Sequence, residues 1–143
     1  EEGSVLERIR TATRIEAVCE DADCVIEAIT ENQAAKQQMF SILDRVCPPR
    51  TILASNTSFM DIFRFVETGR PDKVLITHWF APPHIVPLVE VVRGPQTSRA
   101  TVDAVTALLV DAGEAHRHLK IPAGFRRQPP AKRADRRDAV PAG

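Results

Sequence analysis

Glycine is scarce in this sequence, and its positions exclude a common phosphate-binding motif. The 143-residue chain has six glycines, at Gly3, Gly69, Gly94, Gly113, Gly124 and Gly143. None of them forms the Gly-x-Gly-x-x-Gly turn that holds a pyrophosphate at the start of a dinucleotide-binding fold, and no Walker loop is present. A Ser-His-Asp triad signature is missing too. These residues therefore do not encode the phosphate-binding turn of a dinucleotide fold.

Long apolar runs and metal-ligand spacings are also absent. No segment approaches the roughly 18 consecutive apolar residues of a membrane span, and no secretory signal pattern occurs. We therefore expect no membrane partner. The cysteines are three in number, Cys19, Cys24 and Cys47, and we expect free buried thiols in a reducing cytoplasm. No Cys, Asp or Glu at metal-ligand spacing accompanies the histidines that we expect on the surface, His84, His116 and His118, so no metal site is expected.

The net charge of zero is the sum of two unlike regions. Residues 126–143 carry six basic and two acidic side chains, a net charge of +4, which leaves −4 on residues 1–125. A mildly acidic body argues against nucleic-acid binding there. We therefore predict a folded domain over 1–125 and a basic tail, rich in Pro and Arg, over 126–143.

Apolar periodicity predicts strands that alternate with helices. The predicted strands cover residues 24–29, 51–54, 73–77 and 88–92. Short helices are expected after Ser4 over residues 5–9, around residues 16–19 and over residues 60–66. Longer helices should begin after the capping residues Asn32 and Ser98, the first of them with Ala35, Met39, Ile42, Leu43 and Val46 on its apolar face. This alternation indicates an α/β fold with a largely parallel sheet.

Polar residues follow three of the predicted strands. Because parallel strands present their carboxyl ends at one edge of the sheet, residues 30–32, 55–58 and 78–83 should lie close together. This convergence predicts a functional site at that edge.

His78 and Glu90 are the strongest candidates for chemistry at this edge. His78 ends a strand, and Glu90 lies twelve residues later among Leu88, Val89, Val91 and Val92. A carboxylate in an apolar strand is costly unless it has a partner. Pairing with His78 would fix the imidazole tautomer and produce a positioned general base. The alternative is an alternating strand on which Glu90 points to solvent.

Three further polar residues are ambiguous from sequence alone. Ser58 could hydrogen-bond a substrate oxygen, but Ser-Asn-Thr-Ser is also ordinary turn and capping chemistry. Glu31 and Lys36 lie near the start of a helix, where an exposed, solvated face would account for both.

A set of short segments resembles one known family. The segments are residues 22–28, Glu31-Asn32 with Lys36, residues 48–58, residues 70–74, His78-Trp79-Phe80, residues 87–94 and Thr97-Ser98. Their order and spacing resemble the 3-hydroxyacyl-CoA dehydrogenase family from about Ile9 to Phe125.

The resemblance implies a fold, a cofactor and residue roles. It implies a Rossmann-like domain with a partial doubly wound sheet that lacks the first βαβ unit, in a parent enzyme that dimerises through a C-terminal helical domain. It also implies NAD-dependent oxidation of a 3-hydroxyacyl-CoA to the 3-oxo compound in fatty-acid metabolism, in the cytoplasm. His78 would be the base, Glu90 would hold it, and Ser58 would contact the substrate oxygen. Glu31, Lys36 and Ser58 match cofactor-contacting positions.

Two departures from the family pattern bear on the substrate and the tail. The family usually has Asn where this chain has Ala81, and residues 82–90 resemble the branch of gulonate and carnitine dehydrogenases, which act on smaller hydroxy acids. After Phe125 an Asn-Arg pair is expected, yet Gln128 occupies the Asn position. One permitted set of codons for residues 126–138, read one base later, encodes Val-Gly-Asn-Arg-Leu-Gln-Ser-Ala-Leu-Ile-Ala-Glu. A frameshift would therefore explain the tail, and the alternative is a disordered basic segment.

The sequence also leaves a non-catalytic function open. We expect a fragment of an NAD-dependent enzyme whose activity in isolation is doubtful, because the pyrophosphate turn and the helical domain are both missing. The alternative is a binding module that uses the basic tail to contact an acidic partner.

Overall fold

Five strands form a single sheet in the computed structural model, which describes residues 7–113 and 115–120, the last six by their backbone alone. The strands lie side by side in sequence order. β1 to β3 are mutually parallel, β4 is antiparallel to β3, and β5 is parallel to β4. Their bounds are Cys24–Glu27 for β1, Ile52–Ser55 for β2, Val74–Trp79 for β3, Leu88–Arg93 for β4 and Ala115–Lys120 for β5.

Among the described residues, one short α-helix precedes β1, and two α-helices and two 3₁₀ helices lie between the strands. α1 is Ile15–Cys19, α2 is Gln33–Val46 and α3 is Arg99–Asp111, with 3₁₀ helices at Ile62–Arg64 and Pro71–Lys73. Both predicted caps are confirmed. The Asn32 side chain accepts a hydrogen bond from the Ala35 amide at 2.9 Å, and Ser98 Oγ accepts one from the Thr101 amide at 3.1 Å. No helix in the part of the chain that the structure describes is long and apolar enough to cross a membrane.

The sheet is covered on both faces. One core contains Phe40 and Leu43 of α2 packed on Leu53 and Ile76, and a second places the apolar side of α3 on Leu75 and its neighbours in β4. Successive residues of a strand point to opposite faces, so β2 and β3 contribute alternate residues to the two cores. This arrangement is the predicted α/β Rossmann-like sheet with helices on both sides.

The buried face of α2 is rotated from the predicted one. The buried residues are Lys36, Phe40 and Leu43, while Met39 and Val46 are only partly buried. The predicted apolar face was Ala35, Met39, Ile42, Leu43 and Val46. It left out Phe40, which is fully buried against the sheet, and Lys36, whose ion pair is described with the site below.

Other local expectations were wrong or incomplete. Ile9, expected in the first short helix, belongs to no helix and is 62% exposed, and the rest of that segment up to Leu6 lies outside the described residues. The helix expected over residues 60–66 is the single 3₁₀ turn Ile62–Arg64. β5 was not predicted, because His116, Arg117 and His118 interrupt the apolar pattern from which strands were predicted. The tail over residues 126–143, including Gln128, lies outside the description.

The cysteines are free, as expected, and two of the three are buried. Cys19 and Cys47 belong to the core between α2 and the sheet. Burial, with a smaller contribution from the neighbouring Cys19, raises the pKa of the Cys47 thiol to about 11. Burial also raises the pKa of the partly buried Cys24. Because the thiolate is the reactive form, these thiols are poor nucleophiles at neutral pH.

Candidate functional site

The carboxyl ends of the three parallel strands meet at one edge of the sheet. The register aligns Glu27 of β1 with Ser55 of β2, and β3 continues past this row to His78 and Trp79. The polar segments that follow β1 and β2, residues 30–32 and 56–58, therefore lie at the edge where β3 ends. The predicted position of the site is thus consistent with the topology.

His78 and Glu90 form a hydrogen-bonded pair across β3 and β4. They are direct cross-strand partners, and His78 Nδ1 lies 3.0 Å from Glu90 Oε2. About a fifth of each side chain is exposed, so the pair is shielded yet reachable from solvent. The Phe80 ring lies 4.9 Å from the imidazole, centroid to centroid, and bounds it on one side. Glu90 therefore does not point freely to solvent, which was the alternative that the sequence allowed.

The antiparallel turn of the chain after β3 creates this pair. In a regular antiparallel ladder, directly opposed residues project to the same face of the sheet. His78 and Glu90 consequently share the face on which α2 packs, while Thr77 and Trp79 project toward α3. A shift in register by one residue would send Glu90 to the opposite face and separate the pair.

Asn56 fixes the backbone beside His78, and sequence reasoning gave it no role. Its amide donates to the Glu27 carbonyl at 2.7 Å, and its side-chain oxygen accepts from the Trp79 amide at 3.0 Å. Asn56 thus ties the end of β1 to the end of β3. The only sequence signal was its place in the Ser-Asn-Thr-Ser turn, where the backbone needs side-chain partners.

Glu31 holds the turn that carries Ser58. One carboxylate oxygen accepts a hydrogen bond from the Ser58 amide at 2.7 Å, and both oxygens lie 2.9 Å from Thr57 Oγ1. Thr57 Oγ1 in turn accepts from the Met60 amide at 3.0 Å. Ser58 itself is exposed. The structure therefore joins two of the predicted site residues, Glu31 and Ser58.

Lys36 is enclosed rather than solvated, which contradicts the exposed-face interpretation. Its Nζ lies 2.7 Å from Glu27 Oε1 and 3.8 Å from Glu31 Oε2, and its side chain is 1% exposed. Glu27 is equally buried and was missed as a site residue. It had the same signal as Glu90, a carboxylate inside an apolar strand, and that signal could have found it.

The loop between β3 and β4 borders the site. Residues 81–85 are exposed, and the Ala81–Pro82 peptide bond is cis. Ala81 stands where the resemblance implies Asn, so a methyl group replaces an amide at this border. His84 is exposed, as expected of a surface histidine, whereas the side chains of His116 and His118 lie outside the description.

Comparison with known proteins identifies the family. Residues 1–116 match the family model described as "3-hydroxyacyl-CoA dehydrogenase, NAD binding domain". A probable 3-hydroxybutyryl-CoA dehydrogenase of Bacillus subtilis is 48% identical over 112 residues, which are 78% of this chain. A peroxisomal fatty acid beta-oxidation multifunctional protein of rice is 47% identical over 60% of this chain. The crystal structure of 3-hydroxybutyryl-CoA dehydrogenase from Escherichia coli superimposes on 82% of the chain with a TM-score of 0.79 and 34% identity.

These relatives are much longer than the matched region. The chain spans 39% of the Bacillus subtilis protein, 12% of the rice protein and 25% of the Escherichia coli chain. The residues compared therefore correspond to one part of each relative.

Proposed function

The chain belongs to the 3-hydroxyacyl-CoA dehydrogenase family, and we propose that it carries the catalytic edge of an NAD-dependent oxidoreductase. In this proposal the enzyme oxidises the 3-hydroxyl of a 3-hydroxyacyl-CoA to a 3-oxo group, a reaction of fatty-acid metabolism. The observation that carries the proposal is the half-buried His78–Glu90 pair, 3.0 Å apart at the carboxyl edge of the sheet. Such a pair is a positioned general base.

His78 takes the proton from the substrate hydroxyl in this mechanism. Its Nδ1–H group donates a hydrogen bond to the Glu90 carboxylate. The unprotonated Nε2 is left as the acceptor. Once Nε2 has accepted the substrate proton, the ring is positively charged and Glu90 stabilises it. Ser58 donates its hydroxyl hydrogen to the substrate oxygen and keeps that oxygen oriented.

When bound, NAD would supply the hydride acceptor for the carbinol carbon, and Glu31 and Ser58 are the residues at this edge that would hold one half of it. Glu31 offers a carboxylate that is 30% exposed, and Ser58 offers an exposed hydroxyl, both suited to the hydroxyl and amide groups of a nicotinamide riboside. Lys36 belongs to the same cluster but has little exposed surface. The six glycines form no pyrophosphate turn, so these residues fit the nicotinamide side only.

A smaller hydroxy acid is the second candidate substrate. Ala81 removes the amide that the family pattern places beside the catalytic histidine, and residues 82–90 resemble the gulonate and carnitine dehydrogenase branch. A substrate of that kind would present a carboxylate in place of a thioester. The non-catalytic alternative, a module that binds an acidic partner through residues 126–143, depends on a segment outside the described structure.

Two broader parts of the proposal concern assembly and location. We infer a homodimer for the complete enzyme, formed through a helical domain that these residues do not include. We also place the enzyme in the cytoplasm, although the rice relative is named as peroxisomal. Sedimentation of the complete enzyme and imaging of a tagged copy would test these two inferences.

The substrate is tested best in a hybrid enzyme, in which the matching segment of the Bacillus subtilis relative is replaced by that of this chain. NADH formation is measured with 3-hydroxybutyryl-CoA, gulonate and carnitine. Turnover with the CoA ester, at least about tenfold above that with either acid in kcat/KM, supports the main proposal. Preference for an acid selects the second candidate.

No turnover with any of the three, in a folded hybrid, contradicts the enzyme proposal. Deleting residues 126–143 from the chain itself then tests the module: loss of a salt-sensitive interaction with an acidic partner would support it.

A further inference from the structure

The most completely buried charges of the described chain lie beside the site and are not used by the mechanism above. Glu27 accepts three hydrogen bonds of 2.7 Å, from Lys36 Nζ, Ser55 Oγ and the Ile29 amide. The side chains of Glu27 and Lys36 are each 1% exposed. Each of the two carboxylate oxygens has a partner, so Glu27 is fixed in one orientation.

A buried ion pair of this kind calls for an explanation other than stability. Removing two charges from water costs about as much as their attraction returns, so apolar residues of similar size would serve a core equally well. The pair also forces α2 to bury Lys36 in place of an apolar side chain. The role that remains for such a pair is to hold the groups around it in one position.

Lys36 connects this pair to the turn that carries Ser58. Its Nζ lies between Glu27 Oε1 and Glu31 Oε2, at 2.7 and 3.8 Å. The two carboxylates and the one ammonium group carry a net charge of −1. Glu31 is the partly exposed member of the three. Without a cation beside it, the Glu31 carboxylate would gain more by turning toward water than by remaining on the turn.

Glu31 in turn determines where the Ser58 turn lies. Its carboxylate accepts from the Ser58 amide at 2.7 Å and contacts Thr57 Oγ1 at 2.9 Å. Thr57 is 2% exposed, so the base of the turn is packed while Ser58 is exposed. The chain of contacts thus runs from a buried carboxylate to a residue at the open edge of the site.

We propose that Lys36 is a positioning residue that acts through Glu31 on the Ser58 turn, with Glu27 as the buried counter-ion that fixes Lys36. The consequence for catalysis rests on the proposed function, because it is there that Ser58 contacts substrate. The positional effect on the turn does not depend on any activity.

Amide hydrogen exchange of Ser58, followed by NMR in the full chain, measures the positional effect directly. In Lys36→Met the Ser58 amide should exchange at least about tenfold faster, since its acceptor carboxylate is no longer held. The amides of α3 and β4, which report the global stability lost with the ion pair, should accelerate by a clearly smaller factor than Ser58. A purely structural role would instead raise the rates of all three regions together, because global unfolding exposes them together.

Lys73→Met is the matched control. Lys73 also forms an ion pair, with Asp72 at 3.3 Å, but its side chain is 31% exposed. It lies in the 3₁₀ helix Pro71–Lys73 and not in the Ser58 turn. Ser58 exchange should remain at the wild-type rate in this variant.

The double variant Glu27→Gln with Lys36→Met covers the case in which Lys36→Met alone fails to fold. It removes the uncompensated buried carboxylate and so restores stability, but it leaves Glu31 without its cation. Fast exchange at Ser58 in this folded double variant supports the proposal. Wild-type exchange at Ser58 in either folded variant overturns it.

NADH fluorescence titration separates this proposal from the proposed function. If the wild-type chain binds NADH, the Lys36→Met variant should bind it more weakly by about tenfold or more. If the wild-type chain binds no NADH, the assignment of a cofactor site loses support, whereas the Ser58 exchange rates still decide whether Lys36 positions the turn.

Discussion

Glu27 and Glu90 are carboxylates inside apolar strands, and each has a partner on a neighbouring element. The His78–Glu90 pair could be predicted from the family resemblance, because spacing alone left open a Glu90 that points to solvent. The Glu27–Lys36 pair could not, because Lys36 on a helix suits solvent equally well. Only the three-dimensional packing of α2 on the sheet distinguishes these two environments.

The role of Glu90 can be tested by removing its charge while keeping its shape. In the hybrid enzyme, Glu90→Gln should lower kcat on the order of 10²-fold or more, since the charged imidazole loses its stabilising carboxylate. The KM for the hydroxy substrate should change little. Glu67→Gln, at an exposed glutamate, is the control. Undiminished turnover by Glu90→Gln would show that His78 does not need this partner.

Helix α2 shows how far element prediction from sequence extends. Its Asn32 cap and its end before Pro48-Pro49 followed from local chemistry, and both are observed. Its orientation did not follow, because the prediction left out Phe40, which is fully buried against the sheet, and treated Lys36 as a solvated residue. β5 was missed for a related reason, since its alternation involves histidine and arginine rather than apolar residues.

The carboxyl end of α2 depends on Arg70. This guanidinium, 10% exposed, pairs with Asp44 at 2.9 Å and donates to the carbonyls of Asp44, Cys47 and Pro48. Arg70→Ala should lower the free energy of unfolding by about 2–4 kcal/mol, because buried acceptors lose their donor. Arg64→Ala, at an exposed guanidinium paired with Asp61, should change it by less than about 1 kcal/mol. Equal urea midpoints for the two variants would refute this role.

At the scale of the whole molecule, β1 is an edge strand of the sheet that the structure describes. Among the described residues β1 pairs with β2 alone, and Ile26 on this strand is 41% exposed. The α/β class and the four strands up to β4 followed from the sequence, whereas their order in the sheet and the antiparallel direction of β4 did not. The substrate did not, because the matched region is only part of each longer relative. The hybrid enzyme provides the context in which the catalytic edge can be measured.

NADH formation by the hybrid enzyme, with His78→Ala compared against His84→Ala, tests the central claim most directly. His78 is the hydrogen-bonded partner of Glu90 at the site, while His84 is exposed on the adjoining loop. We predict that His78→Ala lowers kcat by roughly 10²–10⁴-fold and that His84→Ala leaves it unchanged. Full turnover by a folded His78→Ala variant would contradict the assignment of His78 as the base and, with it, the proposed mechanism.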